Sequence, residues 1–185
     1  MDQFLEEVVT KRRRGMESVM YGLAWVSLVL MGLYAFLQMQ NFTFCLTAEG
    51  FTLNTLIYLA QLLIFGGLAV LIFLRKDRIK TEYEYTFTNG QMDFAQVFNN
   101  KKRKSLGTMN IRNVEACGLV SSGSFQRYIT MPGIKRTNWF LNRESELLYF
   151  YFQKESQKRI IIIEPSEEMI GLIKKNLPQG VWQIN

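Results

Sequence analysis

Two long, uncharged apolar runs constrain this 185-residue chain more than any other feature of its sequence. They cover residues 19–37 and 53–74, and neither contains Asp, Glu, Lys, Arg or His. At 1.5 Å per helical residue, the shorter run is about 28 Å long, which matches the hydrocarbon thickness of a bilayer. Both runs are therefore predicted to be transmembrane helices, joined by a loop at residues 38–52.

A cleaved signal peptide is the alternative interpretation of the first run, because a basic segment precedes it. The run is longer than the apolar region of a signal peptide, it lacks a small-x-small cleavage motif, and a second apolar run follows it. These features favour a membrane hairpin. Because neither run carries an ionisable side chain of these types, the sequence offers no ion or proton path, which argues against a transporter.

Cations flank the outer ends of the two runs and predict their orientation. Residues 11–14 read Lys-Arg-Arg-Arg and residues 75–80 hold four more cations, whereas residues 38–52 contain no Lys or Arg. Lys and Arg concentrate on the cytoplasmic side of membrane proteins. We therefore predict a multi-pass cell-membrane protein with two spans, an extracytoplasmic loop and both termini in the cytoplasm.

The spans divide the rest of the chain. Phe4, Leu5, Val8 and Val9 recur at helical spacing, so the N-terminal arm is predicted to be a short helix at the membrane interface or on the soluble domain. The predicted organisation is an arm at 1–18, spans at 19–37 and 53–74, a loop at 38–52, a basic linker at 75–82 and a cytosolic domain at 83–185.

Small residues recur in both runs and predict how the helices pack. Because small side chains let helix backbones approach closely, they are predicted to mark the contact between the two spans, and an oligomeric interface is the alternative. These residues are Gly22, Ser27 and Gly32 in the first run and Ala60, Gly66 and Gly67 in the second.

Beyond residue 82 the apolar residues form short runs that predict β-strands. Asn89-Gly90 separates YEYTFT from QMDFAQVF, and this is a strong hairpin signal because both turn residues tolerate positive φ. Ser166 is a predicted N-cap, followed by a helix with an apolar face that Pro178 ends. The other predicted strands cover residues 104–111, 114–120, 146–153 and 158–164.

The composition argues against catalysis and metal binding. The chain contains no His, the commonest general base and zinc ligand. Its two Cys, Cys45 and Cys117, are too few for a metal cage, and the predicted topology separates them across the membrane. No nucleophile motif or phosphate-binding loop accompanies its carboxylates. We therefore predict no enzyme activity, no cofactor and no metal.

The order of strands followed by one helix is that of a pleckstrin-homology-like (PH-like) fold. The segment YEYTFTNGQMDFAQVF…KRKSLGTMNIRNVEAC resembles the bacterial PH domain pattern, with Tyr-x-x-Thr, a tight turn, an apolar strand and a third strand before Val. Such domains commonly lie beside paired transmembrane helices, and the chain is also similar to small two-span proteins of unknown function. The resemblance implies an α+β PH-like domain, an antiparallel β-barrel or sandwich of about six to seven strands closed by a C-terminal helix.

The same resemblance implies a non-enzymatic binding or scaffold module at the membrane. The alternative is an accessory subunit of a larger membrane protein complex, in which the hairpin makes the specific contacts. We predict the bilayer and an unidentified protein as partners, with homo-oligomers as a further option. Nucleic acid is not predicted, because the basic residues are not accompanied by a helix that would read bases.

Four consecutive cations, Lys101, Lys102, Arg103 and Lys104, follow the second strand in a predicted hairpin loop. Because anionic lipid attracts a juxtamembrane cation by roughly 1 kcal/mol, these residues are a candidate contact with anionic headgroups. A solvated loop and a protein contact are the alternatives. The turn at Asn89-Gly90 is too short to hold an inositide headgroup, so a phosphoinositide pocket is not predicted.

The segment 121–143 is the second candidate contact, because a loop of this length in a small domain is usually functional or mobile. Its mixture of cations and aromatics is typical of interfaces and membrane contacts. An irregular strand with its own core aromatics is the alternative interpretation. The candidate residues are Arg127, Lys135, Arg136 and Trp139.

Overall fold

A computed structural model describes residues 3–183, so residues 1–2 of the predicted arm and 184–185 of the predicted domain lie outside the described residues. The chain divides into two compact units. One is Arg13–Lys80, and the other combines the chain up to Arg12 with the chain from Thr81 onward. The second unit therefore contains residues that precede the helical unit in the sequence and residues that follow it.

The helical unit consists of α1 (Arg14–Ala48), α2 (Leu53–Arg75) and a short 3-10 turn at Lys76–Ile79. Both helices are long and apolar enough to cross a membrane. The 3-10 turn occupies most of the predicted basic linker, and the first strand of the other unit already begins at Thr81.

The loop predicted at 38–52 is wrong, because α1 continues to Ala48. Its polar residues are compatible with a helix, since Thr43 Oγ1 donates to Gln40 O at 2.8 Å and Thr47 Oγ1 donates to Phe44 O at 2.9 Å. Gly50, with φ at 73°, follows the end of α1. Thr52 then caps α2, and its side chain accepts a hydrogen bond from Thr55 N. The two helices are therefore joined by a connection of only a few residues.

This short connection fixes which parts of the two helices lie side by side. The rings of Tyr34 and Phe65 meet edge to face, with centroids 4.5 Å apart, and Tyr21 Oη donates to Asp77 Oδ1 at 3.4 Å. The part of α1 beside α2 therefore extends well past the predicted span end at Leu37. It includes Gln38, which is only 7% exposed.

The predicted role of the glycines in helix packing is wrong. A Cβ atom added to Gly22, Gly32, Gly66 or Gly67 would meet no atom within 4 Å apart from the adjacent turns of its own helix, so the packing of α1 on α2 does not require small residues there. The helices instead meet through larger side chains such as Tyr34 and Phe65.

Aromatic rings and lysines gather where α2 ends. Lys76 Nζ lies 3.9 Å from the centroid of Phe73 and 5.0 Å from that of Trp25, and it donates to Phe73 O at 3.2 Å. Lys80 Nζ lies 4.8 Å from the centroid of Tyr21. Lysine with Trp and Tyr is the composition of membrane–water interfaces, where each side chain keeps a polar end in water.

The helix predicted in the N-terminal arm is wrong, because Phe4–Val9 forms strand β1. It pairs antiparallel with β2 (Thr81–Thr88), with Leu5 opposite Phe87 and Val9 opposite Tyr83. Leu5 and Val9 fit a strand as well as a helix, because they are four residues apart and lie on one face of either element. Pairing with the edge of β2 decides between them.

The first sheet has the order β1-β2-β3-β4, with β3 at Gln91–Phe98 and β4 at Lys102–Asn110. The hairpin predicted at Asn89-Gly90 is confirmed, with φ at 49° and 89°. Asn99 and Asn100 make the next turn with φ at 51° and 53°, a conformation that Asn adopts more readily than other side chains. A bulge in β4 then accommodates Leu106 between the paired residues Ser105 and Gly107.

The second sheet is formed by five strands: β5 (Ala116–Leu119), β6 (Lys135–Trp139), β7 (Leu148–Lys154), β8 (Gln157–Ile163) and β9 (Trp182–Gln183). Their order in the sheet is β6-β8-β7-β5-β9. The pairs β6–β8 and β5–β9 are parallel, and the others are antiparallel. The described residues thus form nine strands in two sheets, which corrects the six to seven antiparallel strands predicted.

Two helices complete this unit, α3 (Gly123–Ile129) and α4 (Glu167–Asn176). Ser166 Oγ accepts a hydrogen bond from Met169 N at 3.2 Å at the start of α4. The segment 121–143, expected to be irregular, therefore contains α3 and β6. Because β6 pairs parallel with β8, its partner lies beyond β7 in the sequence, which the local pattern does not reveal.

The two sheets and α4 share one hydrophobic core. Tyr85, Phe87 and Phe94 come from the first sheet, Phe150, Ile161 and Ile163 from the second, and Met169 and Ile173 from α4. Ile160 and Ile162 face the opposite side of β8, where they pack with Tyr149 and side chains of α3. Both faces of β8 are buried, which explains its four consecutive isoleucines.

Candidate functional site

The four predicted cations lie where the second hairpin passes into β4. Lys101 closes the turn by donating its N–H to Phe98 O at 3.0 Å, and Lys102, Arg103 and Lys104 are the first residues of the strand. Since β4 is the edge of its sheet, all four side chains are exposed. The predicted basic loop is therefore a basic strand end, in which Lys102 and Lys104 point to one face and Arg103 to the other.

Only one of these cations has an acidic partner among the described residues. Arg103 Nη2 lies 2.8 Å from Glu84 Oε2, and Arg103 remains 61% exposed. Glu84 is 17% exposed, and because its partner lies largely in water the pair contributes only about 1 kcal/mol. Lys101, Lys102 and Lys104 make no ion pair within the described part of the chain, so their charges remain available to an anion.

The candidates of the segment 121–143 are divided between α3 and β6. Arg127 is exposed on α3, and Lys135 and Arg136 are exposed at the start of β6. Trp139 is instead part of the core, because its ring packs on Phe94 at 4.8 Å and its carbonyl oxygen accepts a hydrogen bond from the Tyr85 hydroxyl. The structure does not bring these residues together with Lys101–Lys104 in one sheet.

A cleft of about 330 Å³, which was not predicted from the sequence, lies between β4 and the inner face of the second sheet. Phe94, Trp139 and Phe152 provide aromatic walls, and Lys154 and Arg159 are its cations. Arg159 is opposite both Phe152 and Lys135 in the sheet register. A single Arg beside an Ile-rich run was the available signal for this site.

A buried polar network holds the chain around residues 10–12 against the second sheet. Glu164 is 9% exposed, and its Oε2 accepts from Leu141 N at 3.2 Å and from Asn142 N at 2.9 Å. Asn142 Nδ2 donates to Glu164 Oε1 at 2.8 Å and to Thr10 O at 2.9 Å, while its Oδ1 accepts from Arg12 N at 2.9 Å. These bonds explain the polar residues at this position without a ligand.

The described residues contain no group of three His, Cys, Asp or Glu side chains that could hold a metal ion. Cys117 is completely buried, and burial raises the pKa of its thiol well above the ordinary range. A thiol is a nucleophile only as the thiolate, and burial disfavours the thiolate of Cys117. Cys117 is therefore interpreted as a core residue. Burial likewise raises the pKa of Tyr85, whose hydroxyl is occupied by its bond to Trp139 O.

Comparison with known proteins identifies the family. The family model described as the bacterial PH-like domain (DUF6106) matches residues 1–183. No curated protein and no solved structure matches the chain. The family match includes β1, the helical unit and both sheets, so the resemblance inferred from the strand pattern is confirmed. The chain belongs to the bacterial PH-like domain family.

Proposed function

We propose that this chain is a non-enzymatic PH-like binding module, anchored in the membrane by its helical hairpin and exposed to the cytoplasm. Family membership supports a binding or scaffold role, and the two long apolar helices support anchoring. The cations at the outer ends of the helices, with none at 38–52, support the orientation. In this proposal the sheets form the PH-like barrel or sandwich and α4 closes it, with Met169 and Ile173 in the core.

The observation that carries the binding proposal is the exposed basic start of β4. Lys101, Lys102 and Lys104 make no ion pair within residues 3–183, and each gains roughly 1 kcal/mol near an anionic surface. Three such charges are enough to orient a tethered domain. The turn at Asn89-Gly90 and the turn at Asn99-Asn100 are both tight, so recognition would depend on charge and not on an enclosed headgroup.

Hydrogen exchange of the full-length protein in lipid nanodiscs tests this contact. Adding anionic lipid to zwitterionic nanodiscs should slow amide exchange at residues 99–106, because the lysines are drawn to the surface. The effect should disappear at about 0.5 M salt, where the Debye length falls to roughly 4 Å. Changing Lys101, Lys102 and Lys104 to Ser should abolish it.

The matched control removes three exposed cations elsewhere, by changing Arg112, Lys158 and Lys175 to Ser. This control should keep the response to anionic lipid. Exchange at residues 99–106 that does not depend on lipid charge would show that the basic strand end is solvated. Its cations would then serve only to discourage pairing at the sheet edge, as edge lysines do in other proteins.

An accessory subunit of a larger membrane complex is the second candidate, and the polar residues of α1 favour it. Gln38 Oε1 is buried without a hydrogen-bond partner among the described residues. Gln40 and Asn41 are exposed beyond Tyr34, on the part of α1 that runs beside the first half of α2. Amide side chains in a bilayer favour helix association, because an unpaired amide in hydrocarbon is costly.

The mass of the full-length protein in mild detergent, measured by light scattering, tests this second candidate. We expect a homo-oligomer or a complex with a co-purifying protein, and the variant Gln40→Leu with Asn41→Leu should be largely monomeric. The control Leu33→Ala with Leu37→Ala changes exposed apolar positions on the same helix and should retain the assembly. A wild-type monomer without a partner would rule out the subunit role.

A further inference from the structure

The cleft between β4 and the second sheet has the features of a ligand site that is separate from the basic start of β4. It is bounded by residues 106–110 of β4 on one side and by side chains of β6, β7 and β8 on the other. Its volume of about 330 Å³ lies at the lower end of the range for small-molecule sites. The bulge at Leu106 helps to shape this wall, since it bends the edge strand where the cleft begins.

The charged side chains that line the cleft are all basic. Lys154 and Arg159 line it, and none of the described residues that line it is acidic. Lys135 is the partner of Arg159 in the parallel register of β6 and β8, so its side chain leaves the same face of the sheet. The electrostatic potential at this end of the cleft therefore favours an anion.

The guanidinium of Arg159 includes a hydrogen-bond donor that has no acceptor among the described residues. Its Nε atom is buried and has no hydrogen-bond partner within the described chain. A buried donor without an acceptor is unfavourable, and more so when it belongs to a charged group. The planar guanidinium presents its donors in a fork that matches the oxygen atoms of a carboxylate or phosphate. An oxyanion placed here would supply the missing acceptor.

The walls of the cleft suit a flat apolar body. Trp139, Phe94 and Phe152 line it, and Trp139 and Phe94 are fixed by their mutual contact at 4.8 Å. Ile161 continues the apolar surface toward the core. Aromatic side chains held in place in this way bind planar rings without losing further freedom of their own.

We propose that this cleft binds a small organic anion with a flat, aromatic body, whose oxygen atoms pair with Arg159 and Lys154 while its ring packs against Trp139 and Phe152. The proposal specifies a ligand class for the binding role proposed above. It does not depend on the lipid contact, because none of residues 101–104 lines the cleft.

Titration calorimetry of the full-length protein in an uncharged detergent tests the proposal, with the heat of protein-free micelles subtracted. Naphthyl phosphate and naphthoate are the probes, and the one that binds with the higher affinity identifies the preferred oxyanion. Naphthol, which lacks the anion, and inorganic phosphate, which lacks the ring, should each bind at least about tenfold more weakly, because each makes only half of the contacts.

Arg159→Gln should weaken the preferred probe by about tenfold or more, because a neutral amide replaces the charged fork. Lys154→Ala should weaken it severalfold, and this exposed side chain can be removed without disturbing the core. Lys158→Ala is the matched control, because Lys158 precedes Arg159 on β8 and points to the other face of the sheet. Thermal unfolding of each variant establishes that it is folded.

The proposal is overturned if neither naphthyl probe binds the wild-type protein, or if Arg159→Gln and Lys154→Ala bind as tightly as Lys158→Ala. The triple change of Lys101, Lys102 and Lys104 to Ser should leave calorimetric binding unchanged. A failure of the lipid contact and a failure of the cleft are therefore separate results.

Discussion

A chain that begins at Thr81 should not form a stable domain, although it contains eight of the nine described strands. Without β1, it exposes the edge of β2 and the core surface that Leu5 and Val9 cover. The loss of these two apolar side chains alone costs roughly 2 to 4 kcal/mol. Joining residues 1–12 to residue 81 through a flexible linker of about six residues should restore the lost strand.

The two soluble variants should differ clearly in urea unfolding followed by circular dichroism. The linked variant is expected to unfold cooperatively, whereas the chain from Thr81 is expected to aggregate or to unfold at a much lower urea concentration. Leu5→Pro in the linked variant provides the control, because it changes one residue of β1 and removes a backbone donor. Equal midpoints for all three would show that β1 is dispensable.

Replacing Glu164 with Ala is expected to cause the second large loss of stability. Three donors, Leu141 N, Asn142 N and Asn142 Nδ2, lose a carboxylate acceptor that is only 9% exposed. Unsatisfied buried donors cost about 1 to 3 kcal/mol each, so the total loss should be roughly 3 kcal/mol or more. The midpoint of urea unfolding of the linked variant measures this change.

Glu144→Ala is the matched control for Glu164→Ala, because Glu144 is an exposed carboxylate of the same region. Its effect should stay within about 0.5 kcal/mol. Asn142→Ala should also destabilise the domain, since Glu164 Oε1, Thr10 O and Arg12 N each lose their partner while Glu164 Oε2 keeps its two backbone donors. A small effect at Glu164 would mean that water replaces the lost acceptor.

Local sequence signals predicted the elements whose partners are close in the chain. Asn89-Gly90 fixed the β2–β3 hairpin because its conformation depends on the turn residues themselves. The strand predicted at residues 158–164 corresponds to β8, and Ser166 predicted the start of α4. The two apolar runs predicted the long helices, although the end of α1 depends on helix-compatible polar residues that the apolar pattern does not include.

The remaining elements depend on partners that are distant in the sequence. The spacing of Leu5 and Val9 fits a helix or a strand, and only the exposed edge of β2 selects the strand. β6 adopts its conformation because β8 offers it a parallel edge. Lys135 and Trp139 were candidates from the sequence, whereas Arg159 was not. Only the register of β6 and β8 places Arg159 on the same face of the sheet as these two residues. A site formed by register cannot be found from composition.

The pairing of β1 with β2 also has a consequence for biosynthesis. The two strands lie in one sheet, yet the whole of α1 and α2 is made between them. If the helices cross a bilayer, β1 can find its partner only when the chain has returned to the side from which it left. β1 is synthesised before the helices and β2 after them, so in that case the sheet could be completed only if both ends of the hairpin lie on the same side of the bilayer.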